Sequence, residues 1–287
     1  MTRPAPYTIC VRGQLLDLSE PRVMGILNAT PDSFFAGSRK QTEREIAERA
    51  LQIEAEGGSI IDVGAFSTRP GAQFVSAEEE AERLMMALRV VRRELPQAIV
   101  SVDTFRADVA RRCVEASLAD IVNDVSEGRG SFDVARGAGV PPLGDAGPDS
   151  MFATVARLGV PYILMSVQPS VETMLGAWAS EVAQLRSLGA KDIILDPGFG
   201  FGKTLADNYQ VLAQLERLHV MGLPLLVGMS RKRMVYQLLD GSPESALNGT
   251  VVLNTVALEK GASILRVHDV REAVEAVRIV GQLQEAE

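Results

Sequence analysis

IILDPGFGFGKT, residues 193–204, admits two readings, and the choice between them decides the fold. Read from its end, Gly202-Lys203-Thr204 closes a phosphate-binding P-loop, whose GxxxxGK[ST] pattern follows a buried strand and whose backbone N–H groups cradle phosphates. Read from its beginning, Ile193-Ile194-Leu195 is a strand that delivers Asp196 to its C-terminal end and then turns. The P-loop requires its first glycine at position 197. The chain has Pro197 there, which carries no N–H and fixes φ, so the second reading takes precedence.

Working outward, the same device recurs. Short apolar runs end in a polar residue at VMGILN (Asn28), IIDVG (Asp62), IVSVD (Asp103), IVNDV (Asn123, Asp124), YILMS (Ser166), IILD (Asp196), LLVGMS (Ser230) and ILRVHD (Arg266, His268, Asp269). Between them lie stretches of helical spacing such as AEEEAERLMMALRVVRREL and VREAVEAVRIVGQLQ. Continuous Val/Ile/Leu strands alternating with helices imply a parallel sheet covered by helices. About eight such units in roughly 260 residues predict a (β/α)₈ TIM barrel. An open doubly wound sheet is the alternative, but it usually opens on a glycine fingerprint that GILNATPDSF does not supply. The chain reads as a single domain over 1–287. Residues 1–20 form an N-terminal β-hairpin around Arg12-Gly13 that plugs the barrel's lower end, and a long Gly/Pro/Asp-rich loop over 126–150 follows the fourth strand.

Bulk properties narrow the partners. The 287 residues carry a net charge of -8, which argues against nucleic-acid or anionic-membrane binding. No apolar run reaches membrane-spanning length, and the start lacks a signal peptide's hydrophobic core, so a cytoplasmic location is expected. Two cysteines and two histidines are too few for a disulfide framework or a soft-metal site. Any metal is expected to be a hard ion such as Mg²⁺.

In a barrel the strand-end residues share one mouth. Asp62, Asp103, Asn123 and Asp196 would line it with acceptors that need donors, and a heterocycle with an amidine-like N–H edge supplies them. Arg69, Arg231, Lys232, Arg233, Arg266 and His268 bring the opposite sign and suit a phosphate or pyrophosphate.

The motifs MGILNATPDSF (24–34), STRPGA (67–72), SVDT (101–104), VNDV (122–125), DPGFGFGKT (196–204), GMSRK (228–232) and RVHDV (266–270) together resemble the dihydropteroate synthase family of pterin-binding barrels. The resemblance implies condensation of 6-hydroxymethyl-7,8-dihydropterin pyrophosphate with p-aminobenzoate. It places Asp62, Asp103, Asn123, Asp196 and Lys232 around the pterin. It places Asn28, Arg69, Arg266 and His268 on the pyrophosphate, with Asn28 also on Mg²⁺, and Thr68, Arg69, Lys232 and Arg233 beside p-aminobenzoate. Asp103, Asp196, Lys232, Arg266 and His268 would carry the catalysis. The loops 29–40 and 66–74 are expected to act as lids, Lys203 is expected to be incidental, and a homodimer is implied. The chain departs from the family's pattern at Phe66, Ser166 and Arg233. A non-catalytic pterin-binding paralogue, a folate-dependent methyltransferase and a nucleotide hydrolase are the competing readings.

Overall fold

The computed structural model describes residues 6–29, 39–66, 75–131, 133 and 147–286. Thr68, Arg69, most of both expected lids and much of the 126–150 loop lie outside the described residues. The chain opens with an antiparallel hairpin, β1 (Thr8–Val11) and β2 (Gln14–Asp17), joined through Arg12 and Gly13 at φ 50° and 75°. Two consecutive left-handed residues match the twist of a two-residue hairpin turn, which explains the glycine.

Eight parallel strands follow: β3 (Arg22–Asn28), β4 (Ile60–Gly64), β5 (Ile99–Asp103), β6 (Ile121–Asp124), β7 (Tyr162–Met165), β8 (Ile193–Asp196), β9 (Leu226–Val227) and β10 (Ile264–Val267). Consecutive strands from β3 to β8 pair side by side, β10 lies between β9 and β3, and a parallel bridge from Leu195 to Leu225 closes the ring between β8 and β9. The expected barrel is present. One expected strand is much shorter than its apolar run: LLVGMS contributes only Leu226 and Val227, and by Met229 the chain is already turning, with Lys232 N–H donating to the Met229 carbonyl at 3.1 Å.

The intervening helices cover the sheet with their apolar faces. Helix Ala77–Glu94 shows why such segments form: Ser76 Oγ accepts from Glu79 N–H, three glutamates occupy its first turn and Arg92 and Arg93 its last. Cap and charges both complement the helix ends, while Leu84, Ala87, Leu88 and Val91 are buried.

At the lower end, Ile9, Val11 and Leu18 from the hairpin region pack with Met24, Ile60, Ile121, Ile163, Ile194, Leu226 and Ile264 from seven barrel strands. The plug is therefore a hydrophobic layer. Arg12 pins it from outside, donating to the carbonyls of Gln97 at 2.8 Å and of Pro96 and Ala98 at 3.2 Å.

Successive strand residues point to opposite faces, and this sorts the Asn123-Asp124 pair. Asn123 turns toward the barrel axis, where it meets Asp62. Asp124 accepts instead from Ser126 N–H and Oγ, Gly128 N–H and Tyr162 OH, all between 2.7 and 2.9 Å. Its task is to shape the turn that begins the long loop.

Candidate active site

The floor of the mouth is built from strand ends. Asp62 on β4, Asp103 on β5 and Arg266 on β10 form one ion-paired group: Arg266 Nε donates to Asp62 Oδ2 at 2.7 Å and a terminal guanidinium nitrogen to Asp103 Oδ2 at 2.6 Å. Asn123 Nδ2 donates to the same Asp62 oxygen at 3.2 Å. Three buried atoms are left without a protein partner, Asp62 Oδ1, Asn123 Oδ1 and Ser101 Oγ. Buried polar atoms in folded proteins are almost always paired, so this floor is shaped to meet further hydrogen-bonding groups. Of the carboxylates expected to meet donors from a ligand, Asp62 keeps one oxygen unpartnered. Arg266, expected among the phosphate-binding cations, already serves two of them.

Burial pushes Asp103 up to about 7, against the pull of Arg266 and with Asp62 adding to the rise. Burial also raises Asp196, which Lys232 and the Gly198 N–H, 2.7 Å from Asp196 Oδ1, oppose. For Arg266 burial works against the charge, but Asp62 and Asp103 more than offset it and hold the guanidinium above its usual range.

The three basic residues of SRKR take three directions. Arg231, at φ 52°, turns away from the mouth, pairs with Asp269 through two nitrogens at 2.9 and 2.8 Å and donates to the carbonyls of Pro243 and Glu244. Lys232 turns inward: its Nζ donates to the Phe199 carbonyl at 2.6 Å and stands 4.6 Å from the centre of the Phe201 ring. Burial pushes its ammonium down to about 8, with Asp196 pulling the other way. Arg233 is exposed at the start of the short helix Arg233–Tyr236. Lysine and arginine in a row give no sign of which one enters, and the left-handed Arg231 makes the choice.

His268, just beyond β10, is fixed by Ser230, whose Oγ lies 3.0 Å from its Nδ1 and accepts its backbone N–H at 3.1 Å. The sequence reading did not single out Ser230 as a site residue, although it ends an apolar run beside Lys232. Asn28 is exposed at the end of β3.

An apolar wall of Phe105, Val125, Met165 and Val167, with Phe66 and Phe201 packed against it, forms a separate cluster from the barrel core. Phe66 meets Phe105 edge-on at 5.3 Å, and the Arg106 guanidinium lies 5.5 and 4.8 Å from the two ring centres. Arg106 also donates to the Val75 carbonyl at 2.7 Å and pairs with the buried Glu80. An aromatic at position 66 is thus accommodated by cation–π contact. Ser166 is buried and donates to Glu127 Oε1 at 2.8 Å.

Comparisons with known proteins point to one family. Residues 24–268 match the family of pterin binding enzymes. The chain is 39% identical over 284 residues to a dihydropteroate synthase of Escherichia coli, covering 94% of each chain. It is 38% identical over 272 residues to one of Streptococcus pyogenes, covering 91% of this chain and 95% of that one. Among solved structures, the Yersinia pestis dihydropteroate synthase in complex with a sulfonamide drug superposes with a TM-score of 0.83 at 35% identity, covering 98% of this chain and all of the other. That of Xanthomonas albilineans with 4-aminobenzoic acid gives 0.82 at 34% identity, covering 98% and 99%. The chain belongs to the pterin binding enzyme family and, within it, to the dihydropteroate synthases, transferases of folate biosynthesis.

Proposed function

We propose that this chain joins 6-hydroxymethyl-7,8-dihydropterin pyrophosphate to p-aminobenzoate, and that the pterin lies on the floor formed by Asp62, Asp103, Asn123, Asp196 and Lys232. The observation that carries the assignment of residues is the pair of unpartnered acceptors, Asp62 Oδ1 and Asn123 Oδ1, buried beside a carboxylate-lined mouth. An aminopyrimidinone edge presents N–H donors to such a floor, and the Lys232 ammonium suits the ring's carbonyl side. Thr68, Arg69 and Arg233 are assigned to the p-aminobenzoate side on family resemblance.

In the reaction the C–O bond to pyrophosphate breaks and its electron pair leaves with the pyrophosphate. The methylene carbon so left is conjugated with the electron-rich pterin, and the arylamine nitrogen forms the new C–N bond and releases a proton. Preorganised carboxylates stabilise the positive charge that develops on the ring, with Arg266 balancing Asp62 and Asp103 in the floor. His268 is assigned to the departing anion on family resemblance. The arylamine is neutral at pH 7 and needs no activated nucleophile of the Ser or Cys type.

For Mg²⁺ the fit is through a single hard oxygen. Among the described residues no group of three or more His, Cys, Asp or Glu is placed to hold a metal, whereas Asn28 stands exposed at the mouth. This suits an ion that takes few protein ligands and completes its shell with substrate phosphates and water. Bound there, it would neutralise charge on the leaving pyrophosphate. Calorimetric titration with the pterin pyrophosphate is expected to show about tenfold weaker binding when Mg²⁺ is chelated, the loss of roughly one strong contact. Asn28→Ala should erase that difference, and equal affinity with and without the ion in the wild type would exclude the assignment.

The titrations of Asp103 and Lys232 set the pH dependence. With Asp103 needed ionised and Lys232 protonated, kcat/KM should rise through about pH 7 and fall through about pH 8, as a bell belonging to the coupled cluster. Asp103→Asn should remove the acid limb. A flat profile across both values would contradict the assigned protonation states.

We also propose a homodimer, supported by three exposed apolar side chains, Val252 on helix Leu247–Glu259 and Ile279 and Leu283 on helix Val270–Glu285. Sedimentation giving only the monomer mass at micromolar concentration would rule it out. No helix among the described residues is long and apolar enough to cross a membrane.

A further inference from the structure

Lys203, the lysine of the P-loop-like GKT, has a set of partners that neither the fold nor the proposed reaction explains. Its Nζ donates to three backbone carbonyls, those of Gly198 at 3.0 Å, Phe201 at 3.1 Å and Ser166 at 3.2 Å. A lysine ammonium has three donors, and here each has an acceptor. Two acceptors lie in the turn after β8 and the third just past the end of β7. The turn is pressed against β7: Gly198 has φ 66°, and a Cβ there would stand 2.1 Å from the Ser166 carbonyl oxygen. Its far side is tied to helix Leu205–Ala213 by the Gly200 N–H donating to Asn208 Oδ1 at 2.7 Å.

The same turn carries everything described as touching the Lys232 ammonium. Phe199 supplies the carbonyl it donates to, Phe201 supplies the ring beneath it, and the Lys232 stem runs so close to Gly200 that a Cβ there would lie 3.2 Å from its Cδ. The carbonyls gathered by Lys203, at 198 and 201, bracket these three residues. Asp196 and Glu127 face Lys203 with opposite charge, and Glu127 itself is held by Ser166 Oγ and by Gln168 Nε2 at 3.2 Å. A P-loop lysine reaches outward to a phosphate, whereas this one reaches into the turn that precedes it.

We infer that Lys203 is a positioning residue of the mouth: by drawing the carbonyls of Ser166, Gly198 and Phe201 together it fixes the 198–202 turn and thereby sets where the Lys232 ammonium stands. The geometric part is independent of substrate. Its consequence for pterin binding rests on the function proposed above.

The test pairs a substrate-free readout with a kinetic one on the intact protein. Lys203→Met keeps the aliphatic stem and removes the donors. In the folded variant, trace acetylation read by mass spectrometry should modify Lys232 about tenfold faster than in wild type, the effect of roughly one displaced hydrogen bond. Where Lys203→Met does not fold, Lys203→Gln, which keeps two donors, should show a smaller rise. A Lys232 acetylation rate within about twofold of wild type in a folded variant would overturn the inference. In turnover, KM for the pterin pyrophosphate should rise about tenfold with that for p-aminobenzoate little changed, and the effect should largely vanish in a Lys232→Ala background. Additive losses in that cycle would mean that Lys203 acts on something other than Lys232. Absence of turnover in the wild type would count against the proposed function alone, since the acetylation rates still decide the role of Lys203.

Discussion

Lys232→Ala is expected to lower kcat/KM by about 10² to 10³, while the protein keeps a melting temperature close to that of the wild type. The ammonium is held in the mouth against its own desolvation, by the Phe199 carbonyl, the Phe201 ring and the attraction of Asp196. A cation kept where burial disfavours it contributes little to folding, so its removal should be felt in binding and catalysis. The linkage has a definite sign. With a folded value near 8, below that of an ordinary lysine, the folded chain holds fewer protons than the unfolded chain across the interval between the two. The contribution of Lys232 to stability therefore rises with pH there, and the alanine variant should show a shallower rise. Steady-state kinetics with both substrates and thermal melts above pH 8 check both statements. A loss of less than about tenfold in kcat/KM would remove Lys232 from the catalytic group.

Arg266→Ala should be the most destabilising single change in the mouth. It strands Asp62, which is fully buried, and Asp103, whose side chain is 21% exposed, without their shared cation. Removing one partner from a buried ion pair costs about 3 kcal/mol or more, which for a chain of this size lowers the melting temperature by about 5 °C or more. Asp103, already raised to about 7 with the arginine present, rises further without it. A carboxyl whose folded value lies above its unfolded one holds its stabilising contribution at low pH and loses it as pH rises through the folded value. The deficit of Arg266→Ala should accordingly be small near pH 5 and large near pH 8. Thermal melts at the two pH values measure this, and an equal deficit at both would mean that the guanidinium is not what keeps these carboxylates tolerable.

The barrel was legible because its signal is carried by residue type and spacing: runs such as IIDVG and IVSVD are buried strands, and AEEEAERLMMALRVVRREL is a capped helix within a residue of its expected end. The hairpin was legible because Arg12-Gly13 sits between alternating apolar residues. Less legible was whatever depends on direction. Asn123 and Asp124 are equally polar neighbours, and only the alternation of the strand sends one to the mouth and the other to a turn. In SRKR the inward residue is chosen by a left-handed backbone at Arg231, which arginine does not announce. Arg266 reads by its charge as a phosphate-binding cation, and its pairing with Asp62 and Asp103 has no signal in the sequence. Lys203 reads as incidental in the sequence; its partners are main-chain carbonyls, and a carbonyl has no letter there.

The most direct test is to follow dihydropteroate and pyrophosphate formed from the pterin pyrophosphate and p-aminobenzoate, with Mg²⁺, by wild type and by Asp196→Asn. The proposed function predicts equal amounts of the two products from the wild type and at least about tenfold slower formation by the variant, which lacks the charge assigned to the ring. A wild-type protein that binds the pterin pyrophosphate yet forms no dihydropteroate would contradict the account.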